Sequence, residues 1–168
     1  MARSIFTVAT FTPTAVADTT NFTDAAHMSI KGGSSTQSVE ILEVFLGGQA
    51  TASAPAIVQL ARHSTVGATL TALAGPNSDE PSDPASAALA APVLPFVAST
   101  TKPQADANAK LGNYSFNAFG GLVRKQWNPG EGPKILGNTA SFGELGINGF
   151  TGSNASATMG GHIEYEAK

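Results

Sequence analysis

The apolar residues of this chain fall in short runs, which clusters of Gly, Pro, Asn and Ser separate. Runs of four to eight residues bounded by turn-forming residues predict strands. Counting the clearer ones gives about eight to ten strands, close to the number in a typical β-sandwich. The runs are Ile5–Phe11, His27–Lys31, Ser38–Leu46, Ala56–Arg62, Thr65–Leu73, Val93–Val97, Tyr114–Phe119, Leu122–Trp127, Lys134–Leu136, Ser141–Leu145, Ile147–Phe150 and Gly161–Ala167. Thr65–Leu73 fits an extended loop equally well.

The strongest strand candidate is Ser38–Leu46. Strict alternation divides its apolar residues between two faces, with Val39, Ile41 and Phe45 on one and Leu42, Val44 and Leu46 on the other. Apolar residues on both faces predict a strand that is covered on both sides. Glu40 and Glu43 interrupt these faces, so we expect each to need solvent or a hydrogen-bonding neighbour.

Two later segments alternate most clearly. In Tyr114–Phe119, one face carries Tyr114, Phe116 and Ala118 and the other carries Ser115, Asn117 and Phe119. We expect the Gly120-Gly121 pair that follows to bend the chain or form a bulge. In Gly161–Ala167, one face carries Ile163 and Tyr165, and the other carries His162, Glu164 and Glu166. We expect the acidic face of this last strand to be solvated.

Residues 76–110 form an insertion rich in Pro and Ala, in which six of the ten prolines lie between Pro76 and Pro103. The pattern predicts one short helix over Ala85–Ala91, with Asp83 as its N-cap and Pro84 as its first residue. In the strand that follows, Pro95 predicts an edge or a bulge.

These patterns together predict a single all-β domain over residues 1–168. The expected fold is a jelly-roll-like or Greek-key β-sandwich or barrel with one short helix. Residues 12–26 are expected to form an extended arm or a surface loop, and both readings stay open.

Composition favours a protein that works by contact with other proteins. Charged residues make up 12% of the chain, against about 25% in an average domain. A nearly neutral polar surface is less costly to cover, since little charge has to be desolvated. The chain has no cysteine, which excludes disulfides and thiolate metal sites.

The same composition argues against two other classes of partner. The nine basic residues are scattered and the net charge is −3, so no basic patch predicts nucleic-acid binding. No apolar run approaches the roughly 18 residues of a membrane span.

No catalytic constellation is visible. The three histidines, His27, His63 and His162, lack zinc-binding spacing, and each is interpreted as a surface or packing residue. The nucleophile elbow, the P-loop and the dinucleotide fingerprint are all missing. Glu164 and Glu166 would serve as paired catalytic carboxylates only if both faced a cleft. We therefore predict no enzyme, no catalytic or metal-ligating residue and no cofactor.

Candidate interface residues are Trp127, Arg124, Phe11 and Phe22. Trp127 is the single tryptophan and lies at a strand end beside the turn 128–133, where we expect an anchor in the core or at an interface. Trp127, Tyr114 and the Asn-rich turns also leave open an alternative, a lectin-like module that binds carbohydrate.

Three stretches resemble a known family: SIKGG at Ser29–Gly33, VEILEVFLGGQATASAPAIVQLARHSTVG at Val39–Gly67, and the segment Phe116–Glu166, from FNAFGGLVRKQWNPGEGPKILGN to GGHIEYE. In these stretches the chain is similar to small proteins of tailed phages that decorate or cement the virion capsid. The resemblance lies in strand and turn sequence, so no functional residue is carried over.

The resemblance implies a β-rich, non-enzymatic virion structural protein, commonly a homotrimer. It also implies that the protein binds the major capsid protein through broad, weakly charged surfaces. Such a protein is made in the host cytoplasm and is located on the capsid exterior.

Overall fold

The computed structural model describes residues 5–10, 26–48, 50–63, 71–72, 80–81, 94–97, 105–137, 144–150 and 159–167. All regular structure in these ranges is β-strand, which confirms the all-β prediction. The strands are β1 (Ile5–Thr10), β2 (Ala26–Lys31), β3 (Ser38–Gly48), β4 (Pro55–His63), β5 (Thr71–Ala72), β6 (Glu80–Pro81), β7 (Leu94–Val97), β8 (Ala105–Asn117), β9 (Leu122–Gln126), β10 (Lys134–Leu136), β11 (Glu144–Phe150) and β12 (Met159–Ala167).

The strands form two antiparallel sheets. Sheet A has the order β10-β3-β12-β1-β6, and β9 pairs with the same edge of β3 as β10 does, further along the strand. Sheet B has the order β5-β7-β2-β11-β4-β8. The predicted jelly-roll or Greek-key connectivity remains a prediction.

One hydrophobic core joins the two sheets. Alternate residues of β1, β3, β10 and β12 from sheet A pack with alternate residues of β2, β4 and β11 from sheet B. Its largest fully buried side chains are Tyr165, Ile30, Ile41, Leu46, Leu60, Ile135, Leu145, Ile147 and Ile163. Each large apolar side chain that is buried contributes about 1.5–3 kcal/mol to folding. This core is therefore the main source of stability, since the chain has no disulfide.

The predicted faces of β3 are wrong at one end, and a β-bulge is the reason. Glu43 pairs with Glu164, but the next pair is Ile41 with Tyr165, so Leu42 is an extra residue in β3. The bulge shifts the alternation by one position. The core side therefore carries Val39, Ile41, Val44 and Leu46, and the outer side carries Glu40, Leu42, Glu43 and Phe45.

The prediction for the last strand is also corrected. β12 lies in the middle of sheet A, between β3 and β1, and not at an edge. On its outward face Glu166 is 4% exposed, where we expected a solvated carboxylate, whereas His162 and Glu164 are partly exposed. Ile163 and Tyr165 face the core as predicted.

Other segments differ in length from their predictions. The two predicted runs around Gly146 form one strand, β11. β8 begins at Ala105, inside the predicted insertion 76–110, which also contains β6 and β7. The predicted helix Ala85–Ala91 lies outside the described residues.

In the ranges that the structure covers, no helix is long and apolar enough to cross a membrane.

The glycine pair after β8 takes the chain from sheet B to sheet A. Gly120 has a φ of 74°, in the left-handed region that glycine adopts without steric cost. The Gly121 N–H donates to the Asn117 carbonyl, and the Gly48 N–H donates to the Gly121 carbonyl. The turn thereby places β9 against β3.

Candidate functional site

The outer face of sheet A combines charged and aromatic side chains in cross-strand rows. One row runs from Gln126 through Glu43 and Glu164 to Thr7. The neighbouring row joins Arg124, Phe45, His162 and Ala9. Side chains opposite one another on adjacent strands are close enough to interact, so these two rows define the candidate site.

Glu43 is the centre of the first row. Its side chain is 5% exposed, and its carboxylate accepts hydrogen bonds from Arg124 Nε at 3.1 Å and Arg124 Nη2 at 2.9 Å. Gln126 Nε2 donates to the same oxygen. The other oxygen lies 3.0 Å from His162 Nε2. A carboxylate buried to this extent requires such partners, because an unpaired buried charge is strongly unfavourable.

These contacts fix the ionisation state of Glu43. Burial by itself would raise the pKa of this carboxyl, but the hydrogen bonds from Arg124, His162 and Gln126 outweigh burial and hold the pKa below its ordinary value. Glu43 in turn raises the pKa of Arg124. An ionised carboxylate only accepts hydrogen bonds, so His162 carries a hydrogen on Nε2.

The second row contains an aromatic stack. The rings of Phe45 and His162 lie 5.3 Å apart at an angle of 12°. His162 is thus held by the ring of Phe45 and by the carboxylate of Glu43, which gives it a packing role. The side chains of His27 and His63 are not described.

A tight turn borders the site. The Glu131 N–H donates to the Asn128 carbonyl at 2.9 Å, and Gly130 has a φ of 96°. The backbone N–H groups of Gly130 and Gly132 donate to the carboxylate of Glu40. Glu40 therefore fixes the predicted turn 128–133 to β3.

Between this turn and the strands lies a groove of about 300 Å³. Its apolar lining consists of Ile5, Leu42, Trp127 and Pro129. Its polar lining consists of Glu43, Gln126, Asn128 and Glu164. The bulge in β3 is responsible for this mixture, because it turns Leu42 and Glu43 toward the same side.

Two of the four predicted interface residues are described, and the structure brings them to neighbouring positions. Trp127 packs against the core and lines the groove, with Lys125 Nζ 5.5 Å from its ring centroid. Arg124 binds Glu43 from the adjacent position of β9. Phe11 and Phe22 lie outside the described residues.

Large exposed apolar side chains lie beside the site, on the segments that flank the outer edge of β3. Leu136 of β10 is 69% exposed, Leu122 of β9 is 60% exposed, and Phe119 in the turn before β9 is 59% exposed. Ile57 and Leu111, on β4 and β8 of sheet B, are 38% exposed.

Sequence reasoning did not predict the network around Glu43 or the groove. The available signal was an acidic residue inside an otherwise apolar strand, which indicated that Glu43 needed a partner. The partners lie 81 to 119 positions away along the chain, so only the folded sheet identifies them. Among the described residues, no group of three His, Asp or Glu side chains could hold a metal ion.

Comparison with known proteins gives no match to this chain, whether with protein-family models, with curated proteins or with solved structures.

Proposed function

We propose that this chain is a non-enzymatic virion structural protein that decorates or cements the capsid of a tailed phage. In this proposal it forms a homotrimer, made in the host cytoplasm and bound to the major capsid protein on the capsid exterior. The sequence resemblance, the low charge and the exposed apolar residues at one sheet edge support the proposal.

The observation that carries the proposal is the position of Phe119, Leu122 and Leu136. These three side chains are more than half exposed, and all flank the edge of β3 that β9 and β10 occupy. Single exposed apolar residues are common on protein surfaces. Leu122 lies opposite Gly47 and Leu136 opposite Ser38, at the two ends of β3, and exposed apolar residues along the length of one sheet edge support contact with another protein there.

The charges at this edge do not oppose such contact. Arg124 is bound to Glu43, and the ammonium of Lys125 lies over the Trp127 ring. Both cations already interact within the chain, so each would keep a partner when another protein covers this edge.

The first test is the molar mass in solution, by light scattering behind a sizing column. We expect about 51 kDa, three times the chain mass of 17.0 kDa. Leu122→Ser and Leu136→Ser should shift the protein toward monomer. Ile57→Ser and Leu111→Ser, on sheet B, are the matched controls and should leave the mass unchanged.

The second test is co-sedimentation with capsid shells of the parent phage from which this gene has been deleted. Wild-type protein should bind in a saturable manner, and Leu122→Ser should bind more weakly than Leu111→Ser. A strict monomer that also fails to sediment with shells would refute the proposal. A monomer that binds shells would refute only the preformed trimer.

A further inference from the structure

We propose that the groove beside Trp127 is a binding site for a neutral saccharide. This inference goes beyond the assembly role, because the lining of the groove excludes Phe119, Leu122 and Leu136. The ligand class follows from the volume of the groove and from its combined apolar and polar lining.

The lining matches both surfaces of a pyranose ring. Trp127, Leu42 and Ile5 supply an apolar wall, against which the C–H face of a sugar can pack. Glu164 and Asn128 supply planar polar groups that exchange hydrogen bonds with hydroxyls. A volume of about 300 Å³ is at the lower end for small-molecule sites, which suits one or two sugar rings.

Glu43 itself contributes little attraction for a cationic ligand. Its carboxylate is already paired with Arg124 and hydrogen-bonded to His162 and Gln126. Much of its charge is therefore compensated inside the chain, and the ionic attraction for an incoming amine is weakened. The network also holds Glu43 and Gln126 in one geometry before any ligand arrives, which lowers the entropy cost of binding.

Glu164 supplies the remaining acceptor. It lies opposite Glu43 on β12 and lines the groove. Within the described part of the chain its carboxylate has no hydrogen-bond partner, and its interaction is a through-space one with Arg124. A sugar hydroxyl placed against Trp127 can donate to this carboxylate, and hydrogen bonds to charged groups are the stronger class.

The single tryptophan makes this site directly testable. Because Trp127 is the only tryptophan of the sequence, intrinsic fluorescence reports on the groove without labelling. A glycan array first selects ligands, and methyl glycosides of neutral hexoses and N-acetylhexosamines, with their oligomers, are then titrated into the full-length protein. We expect a saturable change in Trp127 emission with at least one of them.

Variants assign the signal to the groove. Glu164→Ala should weaken binding by about tenfold or more, since it removes a charged hydrogen-bond acceptor. Tyr114→Phe, which removes a hydroxyl on sheet B outside the groove, should leave the affinity unchanged. Circular dichroism must give the same spectrum for both variants and the wild type.

Three results would overturn the inference. The first is the lack of any array signal and of any fluorescence change with a folded protein. The second is saccharide binding that Glu164→Ala leaves intact. The third is saturation of the Trp127 signal by lysine amide or arginine amide and not by sugars, which would assign the groove to a cation. None of these results bears on the molar mass or on capsid binding.

Discussion

Replacing Glu43 by Gln tests whether the buried carboxylate is held by its partners as the structure indicates. Gln keeps the size of the side chain but removes its charge and turns an N–H₂ group toward donors. The carboxylate accepts from Arg124, Gln126 and His162, and Gln can satisfy only part of this set. The substitution should therefore destabilise the folded protein.

The size of the expected loss in unfolding free energy depends on how deeply Glu43 and Arg124 are each buried. A hydrogen bond to a charged group contributes about 1.5–3 kcal/mol when both groups are shielded. Here Glu43 is 5% exposed but Arg124 is 55% exposed. In the Glu43→Gln variant, water can therefore replace much of the interaction that Arg124 loses with the carboxylate. We expect a net loss of about 2 kcal/mol, which lowers Tm by about 4–8 °C for a domain of this size.

The pH dependence of this stability difference is a second, independent test of the Glu43 network. The pKa of Glu43 is lowered by folding from its ordinary value of 4.5. A lowered pKa adds stability above the unfolded-state value, and that stability disappears as the pH falls through the folded-state value. The difference between wild type and Glu43→Gln should therefore be full at pH 7 and shrink below about pH 4.5.

The assay is urea unfolding followed by circular dichroism at pH 7, 5 and 4. Glu164→Gln, the same change on the neighbouring strand, is the control and should cost less than about 0.5 kcal/mol. A loss below about 0.5 kcal/mol for Glu43→Gln would refute the reasoning. So would a loss that is the same at pH 4 as at pH 7.

The other predictions concern packing and are checked by the same unfolding measurement. In Gly161→Ala the new Cβ would lie 2.1 Å from the Phe45 carbonyl oxygen, so we expect a loss of about 1–3 kcal/mol or more. Gly47→Ala is its control, because the nearest atom is a flexible ring carbon at 3.6 Å; equal losses would contradict the backbone packing. Ile163→Ala, at a fully buried position between the sheets, should cost about 2–5 kcal/mol. A value under about 1 kcal/mol would place Ile163 outside the core.

The candidate site shows what a sequence pattern leaves undetermined. Trp127 and Arg124 were singled out as contact residues, and both lie at the site. The roles of Glu43, His162 and Gln126 were not predicted, because hydrogen bonds between strands distant in sequence have no local pattern. The groove also depends on the bulge at Leu42. Nothing in the sequence of this strand marks Leu42 as the extra residue, because the bulge appears only when β3 pairs with β12.

Sequence alone determined that this chain forms strands, where many of them lie, and which residues alternate toward a core. Those features depend on side-chain period and on turn residues, which act over a few neighbouring positions. Only the tertiary structure decided that β12 is a central strand, that Leu42 shifts the faces of β3, and that Glu43 is buried in a network. Strand order and register result from pairing between residues far apart in the chain, so they are fixed only when the sheets close over a common core.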